Sequence, residues 1–167
     1  IERHLVEGWY KRVVLTGMGS SYHALHPLHL RLVESGITGV LVDSSELLHY
    51  QRRLLEERTL LILVSQSGKS AEIVRLLEAT RGRLETLGVT NTPDSPLAQD
   101  TTAVVLTDAG DEAAVACKSY LAAQVALTWL GTLLVGGSLD GARDDLASSV
   151  PMIQAYLERW RNHVDEL

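Results

Sequence analysis

Five consecutive apolar residues, Leu60-Leu61-Ile62-Leu63-Val64, stop at a polar loop, Ser65-Gln66-Ser67-Gly68-Lys69-Ser70, and a helix pattern starts at once with Ala71-Glu72-Ile73-Val74-Arg75-Leu76-Leu77. A strand with no polar side must be covered on both faces, which is the condition of a strand inside a parallel sheet. The same alternation recurs along the chain. Val13-Val14-Leu15-Thr16, Gly39-Val40-Leu41-Val42-Asp43, Glu85 to Thr90 and Ala103-Val104-Val105-Leu106 read as further strands. Ser21 to Glu34 reads as a helix, as does the alanine- and leucine-rich, nearly uncharged stretch from Glu112 to about Val135. Asp140 to Leu167 reads as an amphipathic closing helix, with Pro151 marking a break or a fresh start. Strands alternating with helices, joined by right-handed crossovers, predict a three-layer α/β/α sandwich on a five-stranded parallel sheet, doubly wound in the flavodoxin manner. No repeat, low-complexity tract or linker divides the 167 residues, so one domain spanning 1–167 is expected.

In such a sheet ligands bind beyond the carboxyl ends of the strands, near the point where strand order reverses. Two hydroxyl-rich loops fall there. One is Gly17-Met18-Gly19-Ser20-Ser21 and the other is Ser65 to Ser70. Hydroxyls and backbone N–H groups gathered at a helix start suit an anion, most often a phosphate. Three phosphate motifs compete for these residues. Gly68-Lys69-Ser70 suggests a triphosphate loop, but that pattern needs a glycine where Leu63 stands inside the strand. Gly17-Met18-Gly19 opens a dinucleotide fingerprint, with Asp43 placed as its ribose acid, but Tyr22 replaces the third glycine. The third reading joins both loops around one compact phosphate and its attached sugar. Helix caps alone account for one serine per helix, not for six hydroxyl and amide side chains in two loops.

The balance of charge narrows the partner. A net charge of −6 with no basic run argues against nucleic acid and anionic membrane surfaces. No apolar stretch approaches the ~20 residues of a membrane span. Cys117 is the single cysteine, which excludes an internal disulfide and a cysteine zinc cage and fits a cytoplasmic location. The start at Ile1 suggests a fragment or a trimmed chain.

The ordered motifs Gly17-Met18-Gly19-Ser20-Ser21-Tyr22-His23-Ala24, Ser44-Ser45-Glu46, Ser65 to Glu72, Thr90-Asn91 and Ala109 to Ala116 resemble those of the sugar isomerase (SIS) domain family, and in particular the first isomerase module of its two-module, aminosugar-forming members. The resemblance runs from about Val13 to Leu130. It implies that Ser65, Gln66, Ser67 and Ser70 hold a phosphate together with Ser21. It also implies that Gly19 and Ser20 line the sugar, and that Val115 and Ala116 touch it through backbone. The implied ligand is a sugar phosphate such as fructose 6-phosphate or glucosamine 6-phosphate, with no cofactor and no metal. The implied partner is a second SIS module or an identical subunit. The family's two-module enzymes take their catalytic glutamate from the second module, and this chain carries one.

Isomerisation between C1 and C2 needs a base on carbon and an acid at the ring oxygen. Glu34 lies fifteen residues after Gly19, the offset of the family's catalytic glutamate, and its plainer reading is a solvated helix-end acid. His49, after Glu46-Leu47-Leu48, resembles the ring-opening histidine of second modules; histidines also pack at interfaces without further role. Where relatives carry Ser-Thr-Lys, Cys117-Lys118-Ser119 stands here. Glu112 either meets a sugar or caps the helix after it. His23, His26 and His29 fan around one helix side with no carboxylate at a fitting interval, so a metal is not expected. Two functions remain open: a phosphosugar-binding module of an aldose–ketose or aminosugar 6-phosphate isomerase, and a non-catalytic sugar-phosphate sensor.

Overall fold

A computed structural model describes residues 1–112 and 117–165. Five strands, β1 (Arg12–Gly17), β2 (Gly39–Asp43), β3 (Thr59–Val64), β4 (Glu85–Thr90) and β5 (Ala103–Leu106), form one sheet in the order β2-β1-β3-β4-β5. Every pair is parallel. The helices are α1 (Glu2–Val6), α2 (Ser20–Ala24), α3 (His26–Glu34), α4 (Ser44–His49), α5 (Ala71–Thr80), α6 (Pro96–Asp100), α7 (Lys118–Leu134) and α8 (Leu139–Asp165). The fold class expected from the apolar strands is the one present.

Strand β3 explains why no alternation marks the sequence. Leu60, Ile62 and Val64 face the layer of α2, α3 and α7, packing with Leu25, Leu28, Leu32, Leu127 and Leu130. Leu61 and Leu63 face α4, α5 and α6, packing with Leu47, Leu48, Ile73, Leu76 and Leu97. All six residues of β3 are at most 2% exposed, so each large apolar side chain contributes about 1.5–3 kcal/mol through burial on one face or the other.

Two helices differ from expectation. The segment read as one helix from Ser21 to Glu34 is broken at Leu25, with Pro27 in the first turn of α3. Pro27 has no N–H to continue the ladder, whereas at a helix start that donor is not needed. Conversely α8 runs unbroken through Pro151. Residues 147–151 are exposed, so the carbonyl that Pro151 leaves unpaired meets water.

The register fixes where the site lies. Gly17 pairs with Asp43 on one side and Val64 on the other, and Val64 pairs with Val89, so the strand ends stand level at one edge. From β1 the chain turns to β2 on one side, and from β3 it turns to β4 on the other. The reversal of strand order therefore falls between β1 and β3, where the two hydroxyl-rich loops emerge. Among the described residues no helix is long and apolar enough to cross a membrane.

Candidate functional site

Two glycines let the first loop turn directly from strand to helix. A Cβ on Gly17 would stand 2.9 Å from the Ser21 carbonyl carbon, so only glycine admits α2 this close to β1. Gly19, at φ 53°, is the residue before α2 and offers no side-chain cap. Ser20 and Ser21 follow and line a small cavity of about 20 Å³ beside the strand ends.

The second loop is built around Ser65, which is 5% exposed. Its hydroxyl accepts from the Gly68 N–H at 3.1 Å and stands 3.1 Å from the Ser70 hydroxyl. Ser70 precedes α5 yet makes no side-chain cap. The serines are therefore not spent on capping, and the opening N–H groups of this ten-residue helix are left to a ligand or solvent. The loop is anchored from below: the Gln66 carbonyl accepts from the Asn91 N–H at 3.0 Å and the Thr90 hydroxyl at 3.1 Å, and the Gly68 carbonyl from the Leu97 N–H at 3.2 Å. Gln66, Ser67 and Lys69 are set on its outer side, Gln66, Ser67 and Lys69 alike reaching solvent.

A second long helix, α7, opens at the same edge, but its start is filled from within. One Glu112 carboxylate oxygen accepts from the N–H groups of Cys117, Lys118 and Ser119 at 2.9, 2.8 and 3.3 Å, and the other accepts from the Ser119 hydroxyl. The Ser119 hydroxyl first, and the three N–H groups with it, hold the carboxyl below the usual carboxylate range. Glu112 is thus the cap of α7, whereas α5, the other helix of eight or more residues opening at this edge, has no side-chain cap. A carboxyl lowered by folding stabilises above its ordinary value and stops doing so as pH falls through the lowered one. Glu112→Gln is therefore expected to reduce the melting temperature at pH 7 and to flatten its decline below about pH 5, measured by thermal unfolding across the acid range.

Of the residues expected from sequence, Ser20, Ser21 and Gln66 share the cavity wall, while Ser65, Ser67 and Ser70 stand on the adjoining loop at the head of α5. Val115 and Ala116 lie outside the described residues. Glu34 is exposed at the end of α3, five residues before Gly39, which pairs with Val13 at the opposite end of the strands. The nine residues of α3 alone carry the chain roughly 13 Å along its axis. His49 is exposed at the end of α4, on the far face of the sheet, with its ring 6.2 Å from that of Tyr50. Neither Glu34 nor His49 reaches the cavity wall. His29 accounts for itself structurally, through a 3.2 Å hydrogen bond with the Gly39 carbonyl that ties α3 to β2. His23 and His26 stack on each other beside Tyr22.

The wall also contains Thr90 and Asn91, a pair that the sequence marks as a motif without a role, and Thr107, Ser119 and Tyr120, which it does not single out as site residues. Thr90 and Thr107 end or follow strands, and that position was the available signal. Ser119 and Tyr120 sit inside a stretch whose composition reads only as a packed helix.

An α/β sandwich with two serine-bearing loops at its switch point is an arrangement in which small anions are commonly bound. Residues 10–134 match the family model described as SIS domain, and the chain belongs to that family. It is 33% identical over 124 residues to glutamine–fructose-6-phosphate aminotransferase (isomerizing) of Pyrococcus horikoshii, covering 72% of this chain and 21% of that protein. The chain thus spans about a fifth of the length of the curated relatives it matches. In fold it resembles the C-terminal domain of glucosamine-fructose-6-phosphate aminotransferase from Francisella tularensis, with TM-score 0.72, 19% identity, and coverage of 92% of this chain and 44% of that one. It also resembles the glucosamine-6-phosphate deaminase of Thermotoga maritima, with TM-score 0.70, 24% identity, and coverage of 83% and 44%.

Proposed function

We propose that this chain is the phosphosugar-binding module of a sugar-phosphate isomerase of the aldose–ketose or aminosugar 6-phosphate type. The observation that carries the reading is the uncapped start of α5, ringed by Ser65, Ser67 and Ser70, while the neighbouring α7 is neutralised by Glu112. Ser65, Gln66, Ser67 and Ser70 take the phosphate together with Ser21, and Gly19 and Ser20 line the sugar. Phosphate binding then anchors the substrate and orients its reacting carbons. Relatives whose names include fructose-6-phosphate support a hexose 6-phosphate as ligand.

Chemistry at C1 and C2 needs groups from elsewhere. Glu34 sits at the opposite end of the strands and His49 on the other face, so either one acts as base or acid only in a site completed by another copy or module. The outer face of α7 suits such a partner. Leu121, Val125, Trp129 and Leu133 are 37–61% exposed there, and Val125, Trp129 and Leu133 share a groove with Leu106 of the edge strand β5. A helix apolar on both sides is ordinarily covered on both. The sensor reading shares the same grip and differs only in lacking turnover.

Titration of fructose 6-phosphate into isotope-labelled protein tests the reading. Amide shifts concentrated at residues 17–21 and 65–73, absent with unphosphorylated fructose, are expected. Shifts confined to other surfaces would overturn it.

A further inference from the structure

Asn91 follows the end of β4, and both polar atoms of its side chain engage a neighbouring loop. Its Oδ1 accepts from the Thr107 hydroxyl at 3.1 Å and from the Ala109 N–H at 2.7 Å. Its Nδ2 donates to the Gly110 carbonyl at 2.9 Å. Its backbone N–H donates to the Gln66 carbonyl at 3.0 Å. One residue therefore grips the phosphate loop with its backbone and the loop after β5 with its side chain.

The loop after β5 needs an outside hold. Asp108 and Gly110 take φ values of 50° and 68°, and left-handed backbone is disfavoured for the side-chain-bearing aspartate. The three bonds to the Asn91 amide supply the hold, and only an amide of this length fits. An aspartate would set a carboxylate oxygen against the Gly110 carbonyl, and a glutamine would carry its amide one carbon further. Asn91 and Thr107 both line the cavity, so the position of this loop shapes the cavity wall.

We propose that Asn91 is a positioning residue that sets loop 107–110 against the phosphate loop, so that affinity for the sugar depends on its amide while the grip on the phosphate does not. The ligand in this inference rests on the phosphate-loop reading above; the geometry does not. Two measurements on Asn91→Ala and Asn91→Asp test it. Hydrogen exchange in the ligand-free protein is expected to accelerate at the Ala109 amide in both variants while residues 65–70 keep wild-type rates. Calorimetric titration of Asn91→Ala is expected to leave inorganic phosphate binding at its wild-type value and to weaken fructose 6-phosphate on the order of tenfold, the scale of one or two lost hydrogen bonds. Unchanged exchange at Ala109 would overturn the proposal, as would an equal loss of affinity for both probes, which is what general loosening of the fold produces. If the wild-type chain binds neither probe, the phosphate reading falls, and the exchange rates alone then uphold or overturn the positioning role.

Discussion

Gly68→Val is expected to lower the melting temperature by roughly 6–12 °C, the shift that about 3 kcal/mol produces in a domain of this size. Two separate costs combine. Gly68 has φ 62°, and a left-handed conformation costs a side-chain-bearing residue about 1–2 kcal/mol. A Cβ there would also lie 2.2 Å from the Ser95 hydroxyl oxygen and 2.5 Å from the Ser95 Cβ. Ser95 is fully buried and engaged: its hydroxyl donates to the Thr92 carbonyl at 2.7 Å and accepts from the Ala98 N–H at 3.3 Å as the cap of α6. It has no room to retreat, so the phosphate loop must move instead. Gly82→Val is the control. Gly82 has φ 69° with nothing within 4 Å of the added Cβ, so it carries the backbone cost alone, and a fall of roughly 2–8 °C, toward the lower end of the range for Gly68→Val or below it, is expected. Equal melting temperatures for the two variants would show that the loop is not seated on Ser95.

The double variant Ser65→Ala with Ser70→Ala is expected to weaken phosphate binding on the order of 100-fold or more, since hydrogen bonds to a charged group contribute about 1.5–3 kcal/mol each. The two hydroxyls bond to each other at 3.1 Å, so removing only one frees the other to turn toward the ligand and understates the effect. Stability should change far less. The Gly68 N–H that donates to Ser65 Oγ also donates to the Ser65 carbonyl at 3.1 Å, so it is not orphaned. Calorimetric titration with inorganic phosphate, alongside thermal unfolding, separates the two effects. Unchanged phosphate affinity in a folded double variant would remove these serines from the site.

How far the sequence discloses this molecule depends on whether the determining interactions are local. The strands are legible because covering both faces of a parallel sheet forces uninterrupted apolar runs, as in Leu60 to Val64. The serine loops are legible because hydroxyls and glycines at a strand-to-helix turn have few structural uses in such number. The occupancy of each helix start is less so. Glu112 caps α7 from five to seven residues upstream, and no local pattern separates that role from contact with a sugar. The work of Asn91 is likewise set by a partner loop sixteen to nineteen residues away. Glu34 shows the converse case: its offset from Gly19 is suggestive along the chain, but α2 and α3, running back from the loop, carry it to the other end of the strands. Pro151 marks no break because exposed backbone tolerates a missing donor that a buried helix would not.

Thermal unfolding with fructose 6-phosphate, inorganic phosphate and unphosphorylated fructose tests the central claim most directly. Fructose 6-phosphate at about a hundred times its dissociation constant should add roughly 2.7 kcal/mol and raise the melting temperature by roughly 5–10 °C. Phosphate should give a smaller rise at the same concentration and fructose none. A rise with fructose equal to that with its phosphate, or no rise with any of the three, would contradict a phosphosugar site at the head of α5.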